Sequence, residues 1–247
     1  MPTSTNHDNI YTTPKDEVAP FRFDENVVQV FPDMINRSVP GYELTLPLIG
    51  LIAARYAQPH SNIYDLGSSL GAVTLEMRHR ITRPGCRIVA VDNSAAMIAR
   101  CQEILDQDDG PIPVDLVESN IQDCPIERAS VVILNFTLQF IAPADRKRLL
   151  QKIYANMLPG AALVLSEKVV FSDAAQNERF IKIHHDFKRA NGYSDLEVSQ
   201  KRTALENVLI PDTISEHQHR LQAAGFANAD VWFQAFNFMS ILSLKSA

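Results

Sequence analysis

In Ile63-Tyr64-Asp65-Leu66-Gly67-Ser68-Ser69-Leu70-Gly71, a short apolar run contains an acid and leads into a glycine loop. Glycines allow the backbone to turn tightly beside a ligand. A helix that begins near Leu70 directs its free N–H groups toward the same place. The stretch therefore predicts a strand, a nucleotide-cofactor loop and a helix, in that order.

A second apolar run strengthens this interpretation. Ile88-Val89-Ala90-Val91 leads into Asp92 and Asn93, and Asp92 lies 25 residues after Gly67. That spacing matches the ribose-binding carboxylate of nucleotide-binding α/β folds. Asp92 can accept hydrogen bonds from two ribose hydroxyls. The alternative for Asp92 is a helix N-cap before Ser94.

The composition is that of an ordinary globular protein. The 247 residues are 46% hydrophobic and 21% charged, and no run approaches the roughly 18 apolar residues that a membrane span needs. A net charge of −6 gives no general reason to bind nucleic acid or an anionic membrane. We expect a soluble protein that contacts neither nucleic acid nor membrane directly.

The termini and the cysteines favour a cytoplasmic protein. Residues 1–16 are polar and resemble neither a signal nor a transit peptide, so a frayed tail is expected there. Cys86, Cys101 and Cys124 have no spacing typical of a metal site or a disulfide framework. They are interpreted as packing residues in a reducing compartment, and no metal is expected.

Short apolar runs alternate with helix-period segments from Ser61 to Glu167, which is typical of βαβ units and a doubly wound, mostly parallel sheet. The alternating polarity of the third run predicts an edge strand, whereas the second run reads as an interior strand. Strands are predicted at 61–65, 87–92, 114–118, 130–135 and 161–166.

Helical segments surround this core within what we interpret as one domain, 1–247. An N-terminal helical extension covers about 1–58, with helices from Phe23 to Met34 and Glu43 to Ala57. A helical insertion covers about 170–225. Its predicted N-caps are Asp173 and the capping-box pairs Ser194 with Glu197 and Thr213 with Glu216. The chain then closes from Asp230 to Leu244 with an antiparallel hairpin at the edge of the sheet.

The fold class predicted is therefore α/β, with seven strands and a Rossmann-like topology. Five parallel strands followed by a terminal antiparallel hairpin are typical of class I S-adenosylmethionine (SAM) methyltransferases, whereas dinucleotide dehydrogenases continue with parallel units. Ser69 stands where a pyrophosphate loop needs glycine, and Asp65 suits a cationic amino-acid tail. These two residues favour SAM over NAD as the cofactor.

Two further strand ends carry candidate cofactor residues. Asn120 can read the adenine edge and Ile121 can cover the ring, although a plain turn explains the pair almost as well. Asn135 ends the fourth strand, facing the expected methyl group. It is followed by Phe136-Thr137-Leu138 rather than the Pro-Pro-aromatic sequence of amino-group methyltransferases, so amine methylation is not indicated.

No residue has the signature of a base tuned for methyl transfer. The two histidines of His184-His185-Asp186 point to different sides of a helix, which favours packing and surface roles over a proton relay or metal cluster. Lys188-Arg189 and Lys201-Arg202 lie on the inserted helices that should cover the site. They bind an anionic substrate or form a solvated helix face.

The sequence resembles the carboxy-S-adenosylmethionine synthase family across nearly the whole chain. Several of the shared motifs lie outside the generic methyltransferase core, so they separate this family from its relatives. Beyond the cofactor loop, the motifs are Val30-Phe31-Pro32-Asp33-Met34-Ile35, Arg37-Ser38-Val39-Pro40-Gly41-Tyr42, Leu134-Asn135-Phe136-Thr137-Leu138-Gln139-Phe140, Leu165-Ser166-Glu167-Lys168, His184-His185-Asp186-Phe187-Lys188-Arg189-Ala190-Asn191-Gly192-Tyr193 and Ser199-Gln200-Lys201-Arg202.

The resemblance implies an enzyme that uses SAM and prephenate, releases phenylpyruvate and places the lost carboxyl group on the methyl carbon of SAM. The product, carboxy-SAM, would serve a downstream tRNA carboxymethyltransferase that forms 5-oxyacetyluridine at the wobble position. The resemblance also implies a homodimer. A conventional SAM methyltransferase acting on a small acid or tRNA base, and a noncatalytic SAM-binding regulator, are the alternatives.

The resemblance also assigns site residues. Arg202 matches the carboxylate-binding arginine of the family, which is interpreted as its catalytic contribution. Ser68 stands where relatives can carry cysteine, and Asn120 stands where aspartate is usual, so the adenine contacts could differ. The positions that match the cofactor site are Tyr42, Gly67, Ser68, Ser69, Asp92, Asn93, Asn120, Ile121, Asn135 and Arg202.

Overall fold

Parallel strands form the centre of the molecule in the computed structural model, which describes residues 6–246. All five predicted core strands are present, each within a few residues of its predicted bounds except the fifth, which extends further at both ends. They are β1 (Asn62–Leu66), β2 (Arg87–Asp92), β3 (Val114–Glu118), β4 (Ala129–Asn135) and β5 (Met157–Val170).

The strand order of the sheet is β3-β2-β1-β4-β5-β8-β7. Here β7 (Asp230–Ala235) and β8 (Phe238–Leu244) form the predicted antiparallel hairpin, and β8 pairs antiparallel with β5. The predicted edge position of β3 and interior position of β2 are confirmed. A short additional strand, β6 (Asp212–Thr213), pairs with β5, and its two residues are too few to show a periodic pattern in sequence.

Helices cover both faces of the sheet. Successive side chains of β4 point to opposite faces of the sheet. Val131 and Ile133 pack in the hydrophobic cluster that includes α2 and α3, whereas Val132 and Leu134 pack in the cluster that includes α5 and α8. The helices within residues 6–246 are α1 (Glu25–Ser38), α2 (Tyr42–Tyr56), α3 (Ala72–Arg80), α4 (Ala95–Asp106), α5 (Pro143–Asn156), α6 (Ala174–Ala190), α7 (Asp195–Leu205) and α8 (Ile214–Ala224).

The helix starts predicted from side-chain caps are confirmed. Ser94 Oγ accepts a hydrogen bond from the Met97 amide at 3.2 Å, and Asp173 accepts one from Gln176 at 2.6 Å. Both capping boxes, at the starts of α7 and α8, have their two reciprocal hydrogen bonds. These local signals therefore set where the helices of the insertion begin.

The segment before α1 packs against the inserted helices, which corrects the expectation of a frayed tail for residues 6–16; residues 1–5 lie outside the described residues. Asp8 is 1% exposed and accepts a hydrogen bond from the Tyr193 hydroxyl. The Lys201 ammonium lies 3.4 Å from the same carboxylate, and the Arg37 guanidinium lies 3.8 Å from the Tyr193 ring centroid. This network ties the N-terminal segment and α1 to α6 and α7.

Within residues 6–246, none of the helices has the length and the apolar character that a bilayer crossing requires.

Candidate functional site

A cavity of about 250 Å³, here called the main cavity, opens at the carboxyl ends of the parallel strands. Residues at or just after the ends of β1 to β4 form its floor, which is where ligands bind in open α/β sheets. The N-terminal segment, α1, α6 and α7 supply its other walls. Six of the predicted cofactor residues border it: Gly67, Ser69, Asp92, Asn93, Ile121 and Asn135.

The glycine loop after β1 requires glycine at its first position. Gly67 has φ +83°, and a Cβ atom built on it would lie 2.3 Å from Thr137 Oγ1. The Gly67 amide donates to the Val91 carbonyl oxygen at 2.8 Å, which fixes the loop to the end of β2. The loop therefore brings its backbone to the main cavity without a side chain that would block it.

Asp92 connects the two strand ends that the sequence singled out. Its Oδ2 accepts a hydrogen bond from the Ser69 amide, and its Oδ1 accepts one from the Ser94 amide, both at 2.9 Å. The N-cap of α4 is Ser94 itself. Burial raises the pKa of Asp92, whereas the backbone N–H donors lower it. A carboxylate has about four acceptor sites, so Asp92 retains capacity to accept from a ligand hydroxyl.

Asn120 and Ile121, the two residues predicted to contact adenine, lie in different environments. Ile121 is buried and borders the main cavity, whereas Asn120 is exposed and does not border it. Asn120 Oδ1 accepts a hydrogen bond at 3.1 Å from Asn93 Nδ2, and Asn93 does border the cavity. The contribution of Asn120 to the cavity is therefore made through Asn93.

Asn135, at the end of β4, presents a polar atom without a partner. Its Oδ1 is buried and makes no hydrogen bond within the part of the chain that the structure describes. A buried acceptor of this kind costs free energy unless a ligand or water supplies a donor. Asn135 itself borders the same cavity as Gly67 and Asp92, so a small rotation of its amide would offer this oxygen to a ligand there.

Besides Asn120 and Arg202, three residues placed near the cofactor by sequence do not border the main cavity. Tyr42 is half-buried with its ring centroid 6.4 Å from that of Phe136, and desolvation of its hydroxyl raises its pKa. Ser68, within the glycine loop, is buried. Asp65, assigned to a cationic tail, accepts a hydrogen bond from Thr74 Oγ1 at 2.6 Å, and burial raises its pKa to about 6.

The far wall of the main cavity carries basic side chains. Lys168 lies near the end of β5, His184 and Lys188 lie on α6, and Lys201 lies on α7. His184 Nε2 donates to the Ser38 carbonyl oxygen at 2.8 Å, and burial lowers the pKa of this imidazole well below its usual value. Lys188 and Lys201 come from the two dipeptides that the sequence marked as possible anion binders.

Arg202 borders a smaller cavity of about 180 Å³ beside the main one. The two cavities share a wall made by Lys168, His184 and Lys188. His185 also borders the smaller cavity, because neighbours on a helix are offset by only about 100° and can flank one space. Arg189 borders neither cavity and pairs with Asp186 and Asp195.

An aromatic wall was missed by the sequence analysis. Phe23 has ring centroids of Phe21, Phe140 and Phe31 at 5.1, 5.3 and 6.2 Å, all bordering the main cavity. Phe21 and Phe23 lie before the first helix, outside the strands and helices whose apolar periodicity the sequence shows. Two phenylalanines separated by one residue were the available signal, but that spacing does not indicate which ligand or surface the rings contact.

Chain similarity identifies the family. A family model described as a methyltransferase domain matches residues 63–160. Carboxy-S-adenosyl-L-methionine synthase of Trichlorobacter lovleyi is 60% identical over 239 residues, which cover 96% of this chain and 98% of that protein. The protein of the same name from Aliivibrio fischeri is 56% identical over 97% of this chain and 99% of its own length. The chain belongs to the carboxy-S-adenosyl-L-methionine synthase family.

Solved structures show the fold of this family member. Human N-acetylserotonin methyltransferase in complex with SAM is 17% identical with a TM-score of 0.59, and the match covers 90% of this chain and 56% of that chain. The mitomycin 7-O-methyltransferase MmcR is 15% identical with a TM-score of 0.60, covering 90% and 57%. The expected methyltransferase fold is confirmed, and the family resemblance inferred from motifs is confirmed as well.

Glu167 holds the backbone of the turn after β4, at one side of the main cavity. Its Oε1 and Oε2 accept hydrogen bonds from the amides of Leu138 and Gln139 at 2.8 and 2.9 Å. Burial raises the pKa of Glu167 to about 8, and this effect outweighs that of the two N–H donors, which lower the pKa. Glu167 thereby holds the turn that brings Gln139 and Phe140 to the main cavity.

Replacing Glu167 by glutamine is expected to lower the free energy of unfolding by about 1–3 kcal/mol. The amide has one acceptor oxygen, so its NH₂ group would face one of the two backbone N–H donors. Urea unfolding of the purified protein above the pKa of about 8, where Glu167 is ionised, measures the change. Glu178→Gln, at an exposed position on α6, is the control and should leave the stability unchanged. Equal stability of Glu167→Gln and the unmodified protein would contradict the positioning role.

Proposed function

We propose that this chain is an enzyme that binds SAM in the main cavity and converts it, with prephenate, into carboxy-SAM and phenylpyruvate. The observation that carries the proposal is the 60% identity, over nearly the full length of both chains, to a protein named carboxy-S-adenosyl-L-methionine synthase. The geometry of the main cavity is compatible with this assignment, as the following residues indicate.

The residues that would hold SAM are spread along the floor of the main cavity. Asp92 would accept the ribose hydroxyls, and Ile121 would cover the adenine beside Asn93. Asn135 would turn its unpaired Oδ1 toward the cationic methionyl end. SAM supplies a methyl group on a sulfonium centre, whose protons are unusually acidic.

Prephenate would supply both the carboxyl group and the base. Loss of carbon dioxide and of the ring hydroxide makes its ring aromatic and yields phenylpyruvate. The hydroxide takes a proton from the methyl group and becomes water, and the methyl carbon then bonds to the carbon dioxide. The protein has to hold these pieces together and keep bulk water out.

The main cavity has a single carboxylic acid among the described residues that line it. This acid is Asp92, and both of its oxygens already accept backbone N–H donors. The cavity therefore presents no carboxylate free of hydrogen bonds to act as a general base. Asp92 is therefore assigned to cofactor binding rather than to proton abstraction.

Arg202 would bind the new carboxylate of the product. A guanidinium offers two parallel N–H donors that match a carboxylate. Arg202 borders the smaller cavity, next to the wall shared with the main one, so a group extending through that wall would reach it. Tyr42, Ser68 and Asn120 would support the cofactor loop and adenine region without bordering the main cavity themselves.

The remaining assignments extend the proposal beyond the site. The chain would act without a metal, in the cytoplasm, as a homodimer built from single-domain subunits. Carboxy-SAM would pass to a tRNA carboxymethyltransferase that completes 5-oxyacetyluridine at the wobble position, so this protein would not itself bind tRNA.

Mass spectrometry of the small molecules released from the denatured protein tests the proposal. After incubation with SAM and prephenate, we expect a SAM species with one added carboxyl group and an equal amount of phenylpyruvate. Demethylated SAM with intact prephenate would indicate a conventional methyltransferase. Unchanged SAM and intact prephenate would indicate a noncatalytic binding protein.

A further inference from the structure

We propose that Lys168 and Lys188 form a binding wall for a doubly charged carboxylate substrate, at the junction of the main and smaller cavities. The inference rests on the proposed function and adds the residues that bind the second substrate. Arg202 stands beside this wall in the smaller cavity and is assigned to the product carboxylate.

The two lysines are brought together by different elements. Lys168 lies near the carboxyl end of β5, and Lys188 lies on α6, one helical turn after His184. Both border the main cavity and also the smaller one. Both lysines therefore stand between the cofactor region and Arg202, together with His184, Leu205 and Leu209, which also border both cavities.

In the described part of the chain, neither ammonium group has a counter-ion. Among residues 6–246, Lys168 and Lys188 form no ion pair and their Nζ atoms form no hydrogen bond. Lys201, in the same cavity, differs because its Nζ lies 3.0 Å from Ser38 Oγ and 3.4 Å from Asp8 Oδ2. Lys188 is only 7% exposed, and a buried cation without a partner is costly. A bound anion would supply the missing partner.

The local electrostatics agree with an anion site. Burial is the largest cause that lowers the pKa of Lys188 to about 7, and the charges of Lys201 and Lys168 lower it further. Asp8 acts in the opposite direction, but its carboxylate is already engaged by Tyr193 and Lys201. Lys168 has its pKa lowered by burial and by Arg202. An anion between these groups would offset the repulsion.

The chemistry of the wall selects the ligand class. Separate cations at a shared wall match two carboxylates better than one, and the adjoining rings of Phe136 and Phe238, 6.0 Å apart, suit an apolar cyclic body. A dicarboxylate with a six-membered ring has both features. Loss of one carboxylate leaves a monoanion, which the wall would hold less tightly, so the reaction itself would favour product release.

Steady-state kinetics of Lys168→Met and Lys188→Met test the wall. We expect the KM for prephenate to rise at least about tenfold in each variant. The dissociation constant of SAM, measured by calorimetry, should stay within about twofold. Lys182→Met is the matched control on α6, because its side chain is 71% exposed and pairs with Glu178. It should leave both constants unchanged.

Thermal unfolding of the ligand-free variants separates binding from structure. Methionine keeps the length of lysine and removes an unpaired charge, so Lys188→Met should unfold at the same or a higher temperature. Lys201→Met removes a paired charge and should unfold at a lower temperature. An unchanged KM for prephenate in Lys168→Met and Lys188→Met would overturn the proposal, whatever the effect on unfolding.

Failure of the proposed function would give a different pattern. In that case the unmodified protein would bind SAM and form no carboxy-SAM from prephenate. Calorimetric titration of prephenate into the SAM-loaded protein then tests directly whether Lys168 and Lys188 bind it. Binding that weakens at least about tenfold in Lys188→Met would support it, whereas equal binding, or none by the unmodified protein, would overturn it.

Discussion

Asp92→Ala is expected to weaken the binding of SAM by about a hundredfold to ten-thousandfold. Two hydrogen bonds from ribose hydroxyls to a carboxylate would be lost, each worth about 1.5–3 kcal/mol, and 1.4 kcal/mol corresponds to tenfold in affinity. The substitution also leaves the amides of Ser69 and Ser94 without their acceptor, which loosens the cofactor loop.

Isothermal titration calorimetry with SAM measures this loss. Asp115→Ala on β3 is a suitable control, because Asp115 is exposed and pairs with Arg87 at the surface. Its SAM affinity should equal that of the unmodified protein. Asp92→Asn retains one acceptor oxygen, so its SAM affinity should lie between those of Asp92→Ala and the unmodified protein. A loss of less than about tenfold in Asp92→Ala would remove Asp92 from the ribose-binding role.

Arg202→Leu is expected to weaken binding of carboxy-SAM by about 2–5 kcal/mol, the range for losing one partner of a buried charge pair, while largely sparing SAM. The guanidinium is exposed in the ligand-free cavity, and an exposed pair would contribute no more than about 1 kcal/mol. The larger figure therefore requires that the bound product covers Arg202 and excludes water from the pair.

Competition between the two ligands gives the clearest measurement for Arg202. The ratio of the dissociation constants of SAM and carboxy-SAM should change by at least about thirtyfold in Arg202→Leu. Arg189→Leu is the control, because Arg189 lies on α6, pairs with Asp186 and Asp195 and borders neither cavity. Equal weakening of SAM and carboxy-SAM by Arg202→Leu would exclude the carboxylate role.

Local patterns explain why so much of the fold could be predicted. The polarity of β3 differs from that of β2, and this difference placed one strand at the edge and the other inside. Capping residues act over three positions, so Asp173, Ser194 and Thr213 marked helix starts that the structure confirms. The two-residue strand β6 has no comparable local signal, because its pairing with β5 depends on the path of a distant segment.

The order of strands and helices, the glycine loop at Gly67 and the acid at the end of β2 could be predicted from sequence, because each depends on residues a few positions apart. Tertiary structure decided which side chains share a cavity. It placed Lys168 and Lys188 at one wall with no counter-ion among residues 6–246, left Asn120 outside the lining of the main cavity and put Arg202 in the smaller one. These outcomes depend on how α6 and α7 pack over the sheet, and contacts between segments so far apart leave no periodic mark in the sequence.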